Sequence, residues 1–248
     1  MKSITEMIKK FRHASKRLIL LDYDGTLVNF APTPEEALPT QRVVDILAKL
    51  CTCPGTRVVI ITGRSRTGIE AMIGHLSLDI VAEHGAVMKL NGEWKYTVLT
   101  ADSWKNKILG LLQDYVANVP GSFIEKKDFA LTWHYRQCDG KAGTVAAAEL
   151  IAQLMPVANE YRLKVIDGNR IVEVVAGNSD KGKAALQLAQ QQAYDFILAI
   201  GDDKTDEDMF AALRELPSCF TIKVGKGETA AGHQMVNVQE VLLFLEQI

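Results

Sequence analysis

The sequence predicts an α/β fold in which a doubly wound parallel sheet carries a smaller, inserted α+β domain. Short runs rich in Val, Ile and Leu recur without strict alternation, as is typical of strands covered on both faces. Helical segments lie between these runs, and that alternation indicates a doubly wound sheet. We expect strands within 17–26, 56–64, 79–85, 195–203 and 219–225, and helices at 40–50, 65–76 and 181–193.

The middle of the chain has a different pattern, which predicts the inserted domain. In 129–136 apolar side chains occupy every second position, as in a strand with one buried face: Phe129, Leu131, Trp133 and Tyr135. Helices are expected at 107–117 and 143–155, and further strands near 161–166 and 170–175. Two helices against antiparallel strands make a small α+β domain. The predicted core is therefore 1–100 with 176–248, and the predicted cap is 101–175.

Composition and charge exclude several classes of protein. Of the 248 residues 48% are hydrophobic, and the net charge of −2 offers no basic field to nucleic acid. No apolar run approaches the ~18 residues of a membrane span, and the N-terminus lacks the apolar core of a signal peptide. The basic amphipathic segment 1–17 packs on its own domain more often than it serves as a transit peptide or membrane foot. The four cysteines form no C-x-x-C pair, so we expect reduced thiols in a cytoplasmic protein.

An acidic pair follows the first predicted strand. Asp22 and Asp24 are two residues apart, so their side chains point the same way, and Gly25 permits a sharp exit from the strand. A polar turn is the alternative interpretation, since Asp-Gly is common in turns, but it does not explain two acids directly after a buried strand. A calcium loop is excluded because Thr33 stands where its closing acid would be.

A second acidic pair, Asp202 and Asp203, follows the fourth predicted core strand. Open parallel sheets bind ligands beyond the carboxyl ends of their strands, so we expect the two pairs to face each other. Carboxylate oxygens are the ligands that Mg²⁺ prefers, and the sequence therefore predicts a magnesium site. The acids that follow favour a helix start, where Thr205 and Asp208 resemble a capping pair.

Two further segments are suited to binding phosphate. Thr62–Arg64 ends the second strand with a hydroxyl and backbone N–H groups, although Thr is also a common helix cap. Lys181 begins a predicted helix and would neutralise a phosphoryl group. Residues 177–184 nearly match a P-loop, but Ala184 replaces the hydroxyl residue that would hold Mg²⁺, which argues against an NTPase.

In their order along the chain, D-x-D-G-T, the strand-end threonine, the helix-start lysine and G-D-D-x-x-D resemble the four motifs of the haloacid dehalogenase-like superfamily. A cap-like insertion lies between the second and third motifs. Several segments further resemble those of trehalose-6-phosphate phosphatases, especially the phosphatase half of bifunctional trehalose synthase/phosphatase chains. These segments are LILLDYDGTLVNFAPTPEEA, VAEHGA, GSFIEKKDFALTWHYR, GNRIVEV and AIGDDKTDEDMF.

The resemblance implies Mg²⁺-dependent hydrolysis of trehalose 6-phosphate through an aspartyl phosphate on Asp22, with Asp24 as general acid and then base. It implies Mg²⁺ bound by Asp22, the Asp24 carbonyl and Asp202, with Asp203 and Asp206 in support. It also implies a haloacid dehalogenase-like core and leaves association with a trehalose-6-phosphate synthase open. Composition and charge predict no nucleic-acid or membrane partner, and a monomer is favoured, although the sequence does not determine the oligomeric state.

The resemblance assigns the remaining site residues as well. Thr62 and Lys181 would bind the phosphate. The residues implied in substrate binding are Gly63, Arg64, Glu83, His84, Glu125, Lys127, His134, Arg136 and Glu173. For His134 and Arg136, solvated positions on a strand are the alternative interpretation, and the same alternative applies to Glu125 and Lys127.

This chain departs from the family pattern at two places, and other activities stay open. Val175-Ala176 stands where a basic residue and proline are common, and Asp180 stands where asparagine is usual, which bears on substrate affinity. A phosphatase or phosphomutase acting on another sugar phosphate is one alternative. A non-catalytic sugar-phosphate sensor is another, and the intact set of core motifs argues against it.

Overall fold

The computed structural model describes residues 4–97, 103–177 and 180–248. The chain divides into two compact units: the core unit, Met1–Lys95 with Asp180–Ile248, and the cap unit, Tyr96–Ser179. The cap unit extends a few residues beyond each end of the cap expected from the sequence, 101–175. Residues 100 and 101, at the first expected boundary, lie outside the described residues, as do Asn178 and Ser179 of the P-loop-like segment.

The described helices and strands alternate through most of the chain. In chain order they are α1 (Ile4–His13), β1 (Arg17–Leu21), α2 (Gln41–Thr52), β2 (Thr56–Ile61), α3 (Arg66–Ile73), β3 (Asp79–Ala82), β4 (Val87–Leu90), β5 (Glu93–Tyr96), α4 (Ser103–Asn118), β6 (Phe123–Lys126), β7 (Ala130–His134), α5 (Gly140–Tyr161), β8 (Lys164–Gly168), β9 (Ile171–Val175), α6 (Lys181–Ala189), β10 (Phe196–Gly201), α7 (Lys204–Leu213), β11 (Cys219–Val224), β12 (His233–Met235) and α8 (Val238–Leu245). Short 3₁₀ turns lie at Pro34–Glu36 and Glu83–Gly85.

The larger sheet confirms the predicted α/β class. Within the described ranges its eight strands lie in the order β12-β11-β10-β1-β2-β3-β4-β5. The strands from β12 to β3 pair in parallel, and β4 is antiparallel to β3. Every residue of β1 and β10 is buried, as the apolar runs at 18–21 and 196–200 predict for strands covered on both faces.

The order of the strands determines what meets at the carboxyl edge of the sheet. β1 lies between β10 and β2, and Leu21 at its end is in register with Ile200 and Ile60. The residues that directly follow these three strands are therefore neighbours. The acidic pairs and the Thr62–Arg64 segment come together for this reason.

The expected capping pair of α7 is wrong, and so is the alternative interpretation of Thr62 as a helix cap. The N-cap of α7 is Asp203, which forms a capping box with Asp206, so Thr205 and Asp208 are not the capping pair. The N-cap of α3 is Ser65, whose hydroxyl accepts the N–H of Gly68, so Thr62 does not cap that helix. In both places the true cap lies directly before the first helical residue, where its side chain reaches the free N–H groups.

Three parts of the two sheets were not predicted: the β4–β5 hairpin, β12 and β6. β4 and β5 are joined at Asn91-Gly92, where φ is +52° and +84°, as a tight hairpin turn requires. β12 has three residues and β6 has four, too few for a pattern to stand out.

The cap unit contains a four-stranded antiparallel sheet in the order β6-β7-β9-β8. The alternating apolar side chains predicted for 129–136 do face a core, because Leu131, Trp133 and Tyr135 pack with residues of α4 and α5. In the described ranges no helix combines the length and the apolar character needed to cross a bilayer.

The amphipathic segment near the N-terminus packs on the core unit. Met7 and Phe11 of α1 are buried, and the Phe11 ring meets Phe196 edge-on at 5.4 Å. Arg17 Nε donates to the Phe11 carbonyl at 2.7 Å. Of the interpretations weighed for this segment, packing on its own domain is confirmed.

Candidate active site

Asp22 lies directly after β1 and is almost completely buried at 4% exposure. Its N–H donates to the Ile200 carbonyl at 2.9 Å, which continues the pairing with β10 by one residue. Gly25 has φ +78°, a conformation that side chains rarely adopt, and so permits the turn that follows. Lys181 Nζ donates to Asp22 Oδ1 at 2.7 Å.

Lys181 joins two carboxylates. It is the first residue of α6, is 2% exposed, and also donates to Asp206 Oδ1 at 2.9 Å. The other Asp206 oxygen accepts the backbone N–H groups of Asp202 and Asp203 at 2.9 and 3.0 Å. Both Asp206 oxygens are thereby engaged within the protein, so this residue connects the lysine to the loop after β10.

The chemistry of the donor set fits a hard divalent cation. One carboxylate oxygen each from Asp22, Asp202 and Asp206 lies within 4.8 Å of the others. Since Asp206 is already engaged, Asp22 and Asp202 are the available carboxylates of this trio. No hydrogen bond from the described residues reaches the Asp202 carboxylate, and a Cβ atom at Gly25 would collide with it. A carboxylate held against glycine without a donor is suited to coordinating a cation.

The pKa shifts of the site residues also favour a bound cation. Burial raises the pKa of Asp22 to about 7, despite the Lys181 charge, and the charges of Asp202 and Asp203 raise it further. Burial and the charges of Asp203 and Asp206 raise the pKa of Asp202 to about 8. Burial opposes the charge on Lys181, but Asp206 and Asp22 hold its pKa well above the ordinary value. The group therefore has excess negative charge, which a divalent cation would neutralise.

This excess charge predicts a stability effect at Asp202. Because its pKa rises from 3.8 unfolded to about 8 folded, the metal-free protein loses stability as pH rises through that interval. At pH 8 we expect Asp202→Asn to stabilise the metal-free protein by about 1 kcal/mol or more. We also expect it to abolish the stabilisation that Mg²⁺ confers on the wild type. Urea unfolding with and without Mg²⁺ measures both, with the exposed Asp208→Asn as control; a destabilised Asp202→Asn would contradict the assignment.

Asp24 is held by Arg64. Arg64 Nε and Nη2 donate to the two Asp24 oxygens, each at 2.7 Å, in a bidentate pair. A third donor, Nη1, reaches the Pro34 carbonyl at 2.7 Å, and the guanidinium lies over the Tyr23 ring. Arg64 was expected among the substrate-binding residues, and here its contacts fix the orientation of the Asp24 carboxylate.

The Thr62–Arg64 segment meets the turn after β3. The Thr62 hydroxyl accepts the Arg64 N–H at 3.1 Å, and its carbonyl accepts the His84 N–H at 3.0 Å. A Cβ atom at Gly63 would lie 2.6 Å from His84 Nε2, so the imidazole packs against the glycine. Glu83 and His84 are buried and have φ of +48° and +56°, an uncommon conformation for residues with side chains.

The predicted sugar-binding residues of the cap unit form a largely buried polar cluster. Lys127 Nζ donates to Glu173 Oε1 at 2.6 Å, and that oxygen also accepts from Thr132. Glu125 and His134 hydrogen-bond at 2.9 Å. His134 is mostly buried, so it is not a solvated strand position. Arg136 follows β7 and donates to the Asn169 carbonyl at 2.7 Å.

The structure thus gathers the core residues expected from the sequence around the end of β1: Asp22, Asp24, Thr62, Gly63, Arg64, Glu83, His84, Lys181, Asp202, Asp203 and Asp206. The cap unit gathers Glu125, Lys127, His134 and Glu173. Their catalytic and binding roles stay predictions. One residue beside Asp202 was missed, Lys223 at the end of β11, and its only sequence signal is a lysine inside an apolar run.

Comparison with known proteins assigns this arrangement to a family. A family model described as trehalose-phosphatase matches residues 20–239. The chain belongs to the trehalose-phosphatase family. It is 39% identical over 249 residues to an α,α-trehalose-phosphate synthase of Dictyostelium discoideum, covering 98% of this chain and 31% of the relative. A bifunctional trehalose-6-phosphate synthase/phosphatase of Thermoproteus tenax is 37% identical, covering 99% of this chain and 34% of the relative.

A relative named for the phosphatase activity alone gives a similar match. The trehalose-phosphatase of Saccharomyces cerevisiae is 33% identical over 241 residues, covering 88% of this chain and 27% of the relative. The chain therefore spans about a third of the length of these relatives.

Solved structures of this family and of another phosphatase share the fold. The C-terminal domain of trehalose-6-phosphate phosphatase from Candida albicans superposes with a TM-score of 0.94 at 31% identity, covering 98% of this chain and 96% of that one. A phosphatase of the haloalkanoate superfamily from Bacteroides thetaiotaomicron has a TM-score of 0.64 at 18% identity, covering 95% and 97%. The second likeness concerns the fold alone.

Proposed function

We propose that this protein is a Mg²⁺-dependent phosphatase that hydrolyses trehalose 6-phosphate to trehalose and phosphate through a phosphorylated Asp22. The observation that carries the proposal is the buried Asp22, held by Lys181 at the end of β1 beside the unbonded Asp202 carboxylate. Membership of the trehalose-phosphatase family supports the choice of substrate.

In the first step an Asp22 carboxylate oxygen attacks the phosphorus of the substrate. The bond from phosphorus to the sugar oxygen breaks, and Asp24, which takes up a proton once one of its oxygens leaves Arg64, gives the sugar oxygen that proton. Lys181 holds Asp22 through Oδ1 and places a positive charge where the phosphoryl oxygens gain negative charge. Phosphate monoesters hydrolyse extremely slowly unaided, so the site must supply a large stabilisation of the transition state.

In the second step Asp24 removes a proton from water, which attacks phosphorus and releases Asp22. Arg64 keeps the Asp24 carboxylate in one orientation through its bidentate contact. Asp24 thus acts first as acid and then as base. The backbone N–H groups near Thr62 and its hydroxyl are proposed to bind the transferred phosphate.

Asp22, the Asp24 carbonyl and Asp202 would hold Mg²⁺, with Asp203 and Asp206 fixing the loop around them. When bound, the ion supplies positive charge to phosphoryl oxygens and offsets the repulsion between them and the carboxylates.

We expect EDTA to abolish phosphate release and Mg²⁺ to restore it, as a colorimetric phosphate assay would measure. Full activity after exhaustive chelation, verified by metal analysis, would contradict the proposed metal site.

The substrate assignment is tested by a screen. We expect phosphate release from trehalose 6-phosphate with kcat/KM well above that for other sugar phosphates, and without a phosphorylated activator. A higher kcat/KM for another sugar phosphate would show that trehalose 6-phosphate is not the preferred substrate. Dependence on a phosphorylated activator would indicate a mutase. Binding of the sugar phosphate without turnover would indicate a sensor.

The polar cluster of the cap unit is proposed to recognise the sugar. Contacts with hydroxyl groups remote from phosphorus orient the ester and raise kcat/KM. Lys127 is a poor choice for a test, because its removal takes away the ammonium group that contacts the buried Glu173 and would disturb folding as well as binding. Glu125 is partly exposed and is the better probe.

We expect Glu125→Gln to lower kcat/KM for trehalose 6-phosphate about tenfold, which corresponds to about 1.4 kcal/mol. The same change should leave kcat/KM for p-nitrophenyl phosphate nearly unchanged, because that substrate has no sugar. Glu160→Gln, on the exposed surface of the cap unit, is the matched control. Equal losses on both substrates would assign Glu125 to folding or chemistry, and no loss on either would remove it from the sugar site.

The remaining expectations concern partners. The relatives that carry a synthase name are about three times as long as this chain, which supports a proposed association with a trehalose-6-phosphate synthase. The monomeric state and the cytoplasmic location also stay predictions. Size-exclusion chromatography with and without a synthase would test the association and the monomeric state.

A further inference from the structure

The loop after β10 has a second tether that the motifs do not include. Lys223, near the carboxyl end of β11, is in register with Gly201 of β10 and is 8% exposed. Its ammonium group donates to the backbone carbonyl of Asp202. Lysine is rarely buried unless it is paired, so the position of Lys223 needs a reason.

Both peptide groups next to Asp202 are thereby held by side chains. The N–H of Asp202 donates to Asp206 Oδ2 at 2.9 Å, and its C=O accepts from Lys223. The Asp202 carboxylate itself accepts no hydrogen bond from the described residues. The backbone is fixed on both sides of the α-carbon, and the carboxylate is left for an external ligand.

Lys223 is in turn positioned by Glu207 in the first turn of α7. Glu207 Oε1 is buried, lies 3.9 Å from Lys223 Nζ, and makes no hydrogen bond within the described residues. Glu207 Oε2 accepts from the Ala230 N–H at 2.7 Å and from the Thr229 hydroxyl at 3.1 Å. The carboxylate thus links the loop after β11 to the lysine.

We propose that Lys223 is a positioning residue for the metal ligand Asp202, and that Glu207 keeps Lys223 in place. This inference rests on the proposed Mg²⁺-dependent function. Side chains that orient metal ligands typically change metal affinity 10–100-fold when they are removed. The positive charge of Lys223 would act in the opposite sense, because it repels a nearby cation. A loss of affinity is therefore the sign of lost positioning, whereas direct repulsion of the cation by Lys223 alone predicts a gain.

The test measures Mn²⁺ binding to the whole protein without substrate, by electron paramagnetic resonance. Lys223→Met keeps a long side chain but removes the donor, and we expect it to raise the Mn²⁺ dissociation constant about tenfold or more. Lys223→Arg keeps a donor and should recover most of the affinity. Lys204→Met is the matched control, since Lys204 is an exposed lysine two residues from Asp202.

Unchanged or tighter Mn²⁺ binding by Lys223→Met would overturn the inference. Circular dichroism and thermal unfolding identify a variant that has not folded. In that case Glu207→Gln, which removes the charge facing Lys223, should weaken Mn²⁺ binding by a smaller factor, and unchanged binding would overturn the inference. Absence of Mn²⁺ binding by the wild type would overturn the proposed metal site itself, and this inference with it.

Discussion

Asp22→Asn is expected to lower kcat by about 10⁴-fold or more, because an amide cannot form the acyl phosphate. The fold should survive the change. Burial disfavours the charged form of Asp22, and Lys181 keeps its contact with Asp206 at 2.9 Å when the Asp22 charge is removed. The large loss of rate should therefore occur without a loss of stability.

Steady-state phosphate release and thermal unfolding measure the two effects of Asp22→Asn separately. Asp45→Asn, on the exposed side of α2, is the control for an unrelated aspartate and should be normal in both assays. Substantial turnover by Asp22→Asn would contradict the assignment of Asp22 as nucleophile. A collapse in stability would show that Asp22 has mainly a structural role.

Lys181→Met is expected to affect both activity and stability strongly. Lys181 is fully buried and neutralises Asp22 and Asp206, so its loss leaves two buried carboxylates without their shared cation. Removing one partner of a buried ion pair costs about 3–5 kcal/mol. We expect a loss of that size in the free energy of unfolding, measured with urea near neutral pH, together with loss of phosphatase activity.

Lys183→Met is the matched control for Lys181→Met. Lys183 lies on the same helix, is well exposed, and pairs with Asp180 at 3.2 Å. Exposed pairs contribute between zero and about 1 kcal/mol, so its loss should be hardly measurable. Equal effects of the two changes would show that the buried cluster does not depend on Lys181.

The parallel sheet of the core was predictable because the continuous apolar runs of its strands are the simplest signal in the sequence. Strands buried on both faces are mostly apolar, as residues 18–21 of β1 and 196–200 of β10 are, and the helices that connect such strands allow them to run parallel. The β4–β5 hairpin had a signal that was overlooked, since Asn91-Gly92 joins two strand-like runs. β12 and β6 are too short for a periodic pattern.

The strand-end acids were predictable for a related reason. Ligands bind at the carboxyl edge of such sheets, so polar residues that directly follow buried strands are candidates. The side-chain contacts between them were not predictable. Arg64 reaches Asp24 over 40 residues of sequence, and Lys223 reaches Asp202 over 21. Such contacts depend on the register of neighbouring strands and on side-chain conformation, which sequence patterns do not specify.

The central claim, that Asp22 carries the phosphoryl group, is tested most directly by trapping that group on the protein. Asp24→Asn should slow release of phosphate while p-nitrophenyl phosphate, with its good leaving group, still phosphorylates Asp22. Acid quenching followed by borohydride reduction would convert an aspartyl phosphate to homoserine, which peptide mass spectrometry would locate. We predict homoserine at position 22. Continued turnover with no modified residue, or modification at another aspartate, would contradict the account.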